Sequence, residues 1–166
     1  LGVDQTSVYI KEAKRLFGQM SNVSFVVGDV EDLSAKYPKT FDVAISRAVI
    51  SWLPYYEDFV KALMDTTKKH IFISSLFYDG DIDFITKVKS FKGASGKEDL
   101  SIERYSNVYS LPHFTSFVMG FGAKNIQAHD FEISIDLSKP PVDRMGTYTE
   151  KLENGKRFLV SDTVGF

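Results

Sequence analysis

The chain has 166 residues, which suits one domain, and 43% hydrophobic and 14% aromatic residues are enough for a folded core. A net charge of -2, from 20 Lys and Arg against 22 Asp and Glu, offers no basic surface of the kind that binds nucleic acid. We expect no membrane partner, because no apolar run could span a bilayer and no signal peptide opens the chain. The lack of Cys excludes disulfides and thiolate metal sites and fits a reducing cytoplasm, and no metal site is predicted.

The first half of the chain alternates short strands and helices. Strands are predicted at residues 1–4, 23–27, 41–46 and 70–73. Helices are predicted between these strands. The first is indicated by an apolar stripe of Tyr9, Ala13, Leu16, Phe17 and Met20, and the others cover residues 31–38 and 56–68. This order predicts right-handed crossovers in an α/β, Rossmann-like, mostly parallel sheet with helices on both faces.

The third predicted strand marks a candidate binding site. Val43, Ala44 and Ile45 form an apolar run without alternation, which is typical of a strand that is covered on both faces. After it, residues 46–53 mix hydroxyl, charged and aromatic side chains. Ligands of parallel sheets bind beyond the carboxyl ends of the strands, so this segment is a candidate wall of the site.

The second half of the chain departs from this alternation. Residues 83–110 form a polar insertion, which we interpret as a lid or acceptor-recognition element, and a helix is predicted to begin at Leu111-Pro112. Residues 125–137 predict a long strand with a bulge near His129, and Asn154-Gly155 predicts a C-terminal antiparallel β-hairpin over residues 148–160. Because the sequence opens within a predicted strand and stops without a polar tail, we expect residues 1–166 to be a single truncated domain, incomplete at both ends.

Two carboxylates follow successive strands. Asp4, at the end of the first, can accept hydrogen bonds from both hydroxyls of a ribose. Asp29, after the second, can accept from an exocyclic amine, while Val30 packs on a purine face. Together they predict an adenosine that lies across the strand ends.

Three stretches in this order resemble the class I S-adenosylmethionine-dependent methyltransferases, type 11. They are Leu1-Gly2-Val3-Asp4-Gln5, Phe25-Val26-Val27-Gly28-Asp29-Val30-Glu31-Asp32-Leu33, and Phe41-Asp42-Val43-Ala44-Ile45-Ser46-Arg47 with the loop to Leu53. The resemblance covers residues 1–76 well and residues 111–137 only by the order of elements.

The resemblance implies a cofactor and its contacts. Asp4 would bind the ribose with Gln5 beside the adenine, and Asp29 and Val30 would bind the adenine. Ser46 and Arg47 would lie near the methionine part, and Trp52 would border both cofactor and acceptor. The expected activity is methyl transfer from S-adenosylmethionine to a small-molecule acceptor, with S-adenosylhomocysteine as product.

The family's glycine-rich first strand and loop have no counterpart in this sequence. In the family, that strand lies between the strand ending at Asp4 and the one over residues 41–46. We therefore expect a missing N-terminal segment or a partner chain to complete the sheet, because both strands would otherwise expose unpaired backbone groups.

No catalytic triad is evident, and methyl transfer needs a base only when the acceptor must lose a proton. His113, in the first turn of a predicted helix, is a candidate base, and Tyr78 is a candidate wall of the acceptor pocket. His70, predicted to begin its strand, and His129 are more readily structural, and Asp79 and Asp81 fit a plain turn.

Two other functions stay open at this point. A catalytically silent methyltransferase-like binding or assembly module would suit a chain without the glycine-rich loop. A nicotinamide-dependent Rossmann oxidoreductase also places an acid after the second strand, although it does not require Gly28-Asp29 or the loop after Ile45.

Overall fold

In the computed structural model the chain forms two compact units, residues 1–126 and residues 127–166. The structure describes residues 1–90, 102–130, 135–141, 147–151, 153, 155 and 157–161. The single domain predicted from the sequence stays a prediction.

The first part of the chain alternates strands and helices as predicted. Its elements are β1 (Gly2–Asp4), α1 (Ser7–Phe17), β2 (Phe25–Val27), α2 (Val30–Lys36), β3 (Phe41–Arg47), a 3-10 turn (Ile50–Trp52), α3 (Glu57–Thr66) and β4 (Thr67–Ser74). Strand β1 pairs with β2 and β3 pairs with β4, in both cases parallel. Among the described residues these pairs are separate two-stranded sheets. The short parallel pieces fit the predicted Rossmann-like α/β class.

The boundary between α3 and β4 lies earlier than the sequence pattern predicts. Helix α3 ends at Thr66 and β4 begins at Thr67, so His70 lies within the strand and does not begin it. The cause is pairing with the segment that begins β3. Thr40 N–H donates to Thr66 O at 2.9 Å, and Phe41 is in register with Thr67. Long-range strand pairing here overrides the local helix pattern.

A buried aromatic cluster forms the core of the first unit. Its members come from the 3-10 turn, α3 and the second half of the unit, and they are Ile50, Tyr56, Val60, Tyr109, Phe114 and Val118. The Tyr56 ring stands edge-on to Tyr109 with centroids 4.7 Å apart, a geometry that aromatic pairs prefer.

The second half of the unit supplies the other wall of this cluster. It contains β5 (Phe77–Tyr78), β6 (Lys87–Ser90), β7 (Ile102–Tyr105), β8 (Tyr109–Ser110) and α4 (Leu111–Gly120). Strands β5 and β8 are parallel, whereas β6 and β7 are antiparallel, so the predicted insertion includes a two-stranded stem. The Ser110 hydroxyl accepts from His113 N–H at 3.2 Å and caps α4.

One face of the β3–β4 sheet is exposed, which corrects the prediction that β3 is covered on both faces. Val43, Ile45 and Phe72 share this face, and Ile45 is 76% exposed. No described element packs against these side chains. The apolar stripe of α1 is also mostly exposed, and within this helix only Ile10 is buried.

The long strand predicted over residues 125–137 is wrong for the described part of that range. Residues 125–130 and 135–137 are not in a strand, and residues 131–134, with part of the predicted alternation, lie outside the described residues. An alternating pattern needs a hydrogen-bonding neighbour to become a strand, and residues 125–130 pair with none of the described strands.

The second unit contains β9 (Thr147–Lys151) and β10 (Arg157–Ser161), which pair antiparallel with Lys151 opposite Arg157. Asp136 contacts both basic side chains, at 2.5 Å from Arg157 Nε and 3.1 Å from Lys151 Nζ. These two cations lower the pKa of the Asp136 carboxyl to about 2.

Candidate functional site

The ends of β1 and β2 bring two predicted site residues to the same edge. Asp4 is in register with Val27, and Gly28 N–H donates to Asp4 O at 3.1 Å, which extends the pairing past the last strand residue. Asp29 follows directly. Because the strands are parallel, Asp4 and Asp29 lie at adjoining carboxyl ends, where ligands of such sheets bind.

Asp4 is exposed and shapes the start of α1. One of its carboxylate oxygens, Oδ1, accepts from Thr6 N–H at 2.7 Å, in a turn that leads into the helix. The second oxygen makes no hydrogen bond to the part of the chain that the structure describes. Asp4 therefore presents a free acceptor at the strand end.

Asp29 is half-buried and uses both carboxylate oxygens. Oδ1 accepts from Glu31 N–H at 3.0 Å and caps α2, while Oδ2 accepts from Gln5 Nε2. Gln5 and Asp29 thus meet across the two strand ends, and Val30, also half-buried, begins α2 beside them. Loss of solvent, with the nearby Asp29 charge, raises the pKa of Glu31 above its ordinary value.

The end of β3 carries a buried hydroxyl and a sharp backbone turn. Ser46 is 4% exposed, and its Oγ has no hydrogen-bond partner among the described residues. Arg47 is exposed and forms no ion pair with the described part of the chain. The next residue, Ala48, has a φ of 53°, a left-handed conformation that is uncommon for a residue with a side chain, and its N–H donates to Ser74 O at 2.7 Å.

Trp52 lies at the end of the 3-10 turn that follows this segment. Trp52 is 44% exposed, whereas Ile50 and Ser51 of the same turn are buried. The turn is closed by its own backbone, because Trp52 N–H donates to Val49 O and Leu53 N–H donates to Ile50 O. The large ring is therefore presented at the surface by a fixed turn.

The predicted cofactor residues form two groups. Asp4, Gln5, Asp29 and Val30 gather at the ends of β1 and β2, and Ser46, Arg47 and Trp52 follow β3. No hydrogen bond or ion pair joins the two groups within the described residues. The grouping follows from the sheet, because β1–β2 and β3–β4 are separate pairs there.

The candidate acceptor residues are placed on the second half of the unit. His113 is exposed in the first turn of α4, and Tyr78, the last residue of β5, is 44% exposed. The Tyr78 ring stands edge-on to Phe84 at 5.6 Å. Among the described residues, no hydrogen bond links either side chain to the cofactor candidates, and His129, Asp79 and Asp81 are exposed.

The sequence pattern did not indicate Asn107, Tyr109 or Asp83. Asn107 and Tyr109 are buried and bond to the backbone after β3, and Asp83 Oδ1 accepts from Ser110 N–H at 2.6 Å. The only local signal was Ser110 before Leu111-Pro112, which is a typical start of a helix. The partners of Asn107 lie too far away in sequence for a pattern to reveal them.

The fold and the carboxyl ends of β1 and β2 place this chain among α/β proteins with acidic residues at adjoining strand ends. Residues 1–72 match the family described as "Methyltransferase domain". This match supports the resemblance over residues 1–72, which are similar to a methyltransferase domain. No curated protein matches the chain.

The described residues offer neither a metal-binding cluster nor a membrane-spanning helix. No group of three or more His, Asp or Glu side chains there is arranged to bind a metal ion. No described helix is long and apolar enough to cross a membrane.

Proposed function

We propose that this domain transfers a methyl group from S-adenosylmethionine to a small-molecule acceptor. The observation that carries the proposal is the position of Asp4 and Asp29 at adjoining ends of the parallel strands β1 and β2, within the segment that matches the methyltransferase family. The enzyme class rests on that match, and the cofactor contacts rest on the chemistry of the side chains.

The side chains at the strand ends suit an adenosyl cofactor. Asp4 offers a free carboxylate oxygen for a ribose hydroxyl, and its Oδ1 is already fixed by Thr6 N–H. Asp29, fixed by Glu31 N–H and by Gln5, would receive the exocyclic amine of adenine, with Gln5 beside it and Val30 against the ring. Fixed acceptors lose little freedom on binding, which favours affinity.

The segment after β3 would contact the rest of the cofactor. Ser46 carries a buried hydroxyl that lacks a partner in the described chain, and such a group is costly unless a polar atom satisfies it. Ser46 and the Arg47 next to it would lie near the methionine part, with Trp52 at the border between cofactor and acceptor.

S-adenosylmethionine would supply the reactive methyl group on its sulfonium. The task of this chain is then to align the acceptor with that methyl group and to exclude water. Trp52 and Tyr78 present half-exposed rings suited to a wall of the acceptor pocket, and His113 is the candidate that would remove a proton where the acceptor requires it. Residues 83–110 would recognise the acceptor.

We also propose that a further strand, from another segment or a partner chain, lies between β1 and β3. Each of these strands pairs with one neighbour along a single edge in the described residues. Exposed edges of parallel strands are unusual, and a strand inserted there would satisfy the unpaired backbone groups.

Titration calorimetry on the full-length protein with S-adenosylhomocysteine, S-adenosylmethionine and NAD, each added separately, tests the proposal. We expect both adenosyl compounds to bind and NAD not to bind. Binding of NAD alone would favour the oxidoreductase, and binding of none would favour a catalytically silent module.

A further inference from the structure

The backbone around Trp52 is bonded to a residue more than fifty positions later in the chain. Asn107 N–H donates to Ser51 O at 2.8 Å, and its side-chain Nδ2 donates to Leu53 O at 2.8 Å. These two carbonyls flank Trp52. A single residue therefore fixes the chain on both sides of the ring.

Asn107 is fully buried, at 0% exposed, and its side-chain amide is fully used. Oδ1 accepts from Thr86 N–H at 3.0 Å, and Nδ2 also donates to the Tyr109 hydroxyl at 2.9 Å. That hydroxyl in turn donates to Leu53 O at 3.0 Å. We call these bonds among Asn107, Tyr109, Thr86 and the carbonyls of Ser51 and Leu53 the Leu53 network.

The Leu53 network fixes the 3-10 turn from outside. Among the described residues, no other residue outside the turn is hydrogen-bonded to the carbonyls of Ser51 and Leu53. Within the turn, the N–H groups of Trp52 and Leu53 bond to the carbonyls of Val49 and Ile50. The carbonyls that point away are then satisfied by Asn107 and Tyr109. A buried network with every member bonded has one favourable arrangement, because any shift leaves a buried polar group unpaired.

We propose that Asn107 is a positioning residue, which sets the place of the Trp52 ring beside the adenosyl cofactor and connects the 83–110 insertion to that ring. The inference rests on the proposed function, since Trp52 is one of the cofactor contacts named there. The connection to the insertion is direct, because Thr86 and Asn107 both belong to it. The 83–110 insertion and the 3-10 turn that carries Trp52 are then connected by one set of hydrogen bonds.

Three variants test this role. Tyr109→Phe removes one hydroxyl from the Leu53 network and keeps the ring in the aromatic cluster, and Asn107→Ser removes the side-chain amide. Tyr56→Phe is the matched control, because Tyr56 is buried against Tyr109 but its hydroxyl makes no hydrogen bond within the described residues. The chain has one Trp, so fluorescence that is excited at wavelengths where tyrosine does not absorb reports on Trp52 alone.

Tyr109→Phe removes a hydroxyl that makes two hydrogen bonds, and we expect it to weaken binding of S-adenosylhomocysteine about threefold to tenfold. We expect Asn107→Ser to weaken it more. Both variants should shift the emission maximum of Trp52 in the ligand-free protein. Tyr56→Phe should change neither quantity. Should Asn107→Ser not fold, Tyr109→Phe still decides the result.

Suppose that the parent protein binds S-adenosylhomocysteine and that folded Tyr109→Phe has the same affinity and the same emission maximum. This result would overturn the positioning role and leave the proposed function standing. If the parent itself does not bind S-adenosylhomocysteine, the proposed function fails. In that case the emission maxima decide alone: a shift in the Tyr109→Phe spectrum but not in that of Tyr56→Phe supports the fixed turn, and equal spectra refute it.

Discussion

The aromatic cluster and the ends of β1 and β2 use their residues in opposite ways. In the cluster, aromatic and aliphatic side chains are buried. The side-chain polar atoms of Asn107, which bonds to Tyr109 of the cluster, are all bonded. At the strand ends, Asp4 and Gln5 are exposed and α1 buries only Ile10. The cluster provides stability, whereas the strand ends present polar groups to a ligand.

This difference indicates how the proposed work is divided. Burial of apolar area stabilises a fold in proportion to the area removed from water, so the cluster should account for most of the stability of the first unit. The strand ends contribute little burial, and Asp4 keeps one carboxylate oxygen available there. Substitutions in the two regions should therefore separate stability from ligand affinity.

The largest expected effect is on stability, from Ile50→Ala. Ile50 is 0% exposed in the cluster, and removing a buried aliphatic side chain lowers the free energy of unfolding by about 2–5 kcal/mol. Leu16→Ala on α1 is the control, since Leu16 is 55% exposed and should change that free energy by less than about 0.5 kcal/mol. Urea denaturation measures both, and equal losses would show that the α1 stripe is covered by something.

The next effect concerns ligand affinity, from Asp4→Asn. The amide oxygen can still accept from Thr6 N–H, so the turn is kept while the charge is removed. Losing a charged acceptor should weaken binding of S-adenosylhomocysteine by about 1–3 kcal/mol, as measured by calorimetry. Asp32→Asn, an exposed carboxylate in the first turn of α2, should not change the dissociation constant. An unchanged constant for folded Asp4→Asn would remove Asp4 from the site.

Local patterns predicted the elements of the first half of the chain well. Alternating strands and helices, the strand ends at Asp4 and Asp29, and the start of α4 at Leu111 all depend on residues close in sequence. The ends of helices and strands were less predictable. Strand β4 begins at Thr67, for example, because Thr67 pairs in register with Phe41. The predicted strand over residues 125–137 shows the same limit, since a strand needs a neighbour that no local pattern supplies.

The site was predictable only where it depends on strand ends. Asp4 and Asp29 follow apolar runs, so their shared edge could be inferred from parallel topology. The role of Asn107 could not be inferred, because its bond to Leu53 O spans 54 residues. In the sequence alone, an Asn at this position is equally typical of an ordinary turn. Exposure of Ile45 was also unpredictable, since an apolar run gives no information on which element covers it.

A third substitution tests burial in the cluster through pH. Burial, with the charges of Glu57 and Asp83, raises the pKa of Tyr56 from 10 to about 12. The neutral phenol is thus favoured in the folded state, so its contribution is complete below pH 10 and is lost as the pH rises from 10 through about 12. Within that window stability should fall by up to about 1.4 kcal/mol per pH unit through this group.

Tyr56→Phe should remove this contribution and flatten the loss of stability above pH 10, as measured by urea denaturation at a series of pH values. Tyr55→Phe is the matched control, because Tyr55 is the adjacent residue and is 77% exposed. The Tyr55 variant should follow the parent. If both variants follow the parent, Tyr56 ionises in the folded state no differently than in the unfolded chain.

The smallest effect is expected at the exposed β3–β4 surface, from Asp42→Asn. The Lys69 ammonium lies 3.1 Å from Asp42 Oδ1, and this hydrogen bond and charge lower the pKa of the Asp42 carboxyl below its ordinary value. The contribution is therefore present above the unfolded pKa of about 3.9 and is lost as the pH falls through the lower folded value. Both side chains are more than half exposed, so solvent and salt screen the pair. Urea denaturation at pH 7 and pH 3 should show a smaller change in the free energy of unfolding than Ile50→Ala or Tyr56→Phe produces. In 1 M salt, where the Debye length is about 3 Å, the change should disappear. A change that persists in salt would mean that Asp42 and Lys69 are shielded from solvent.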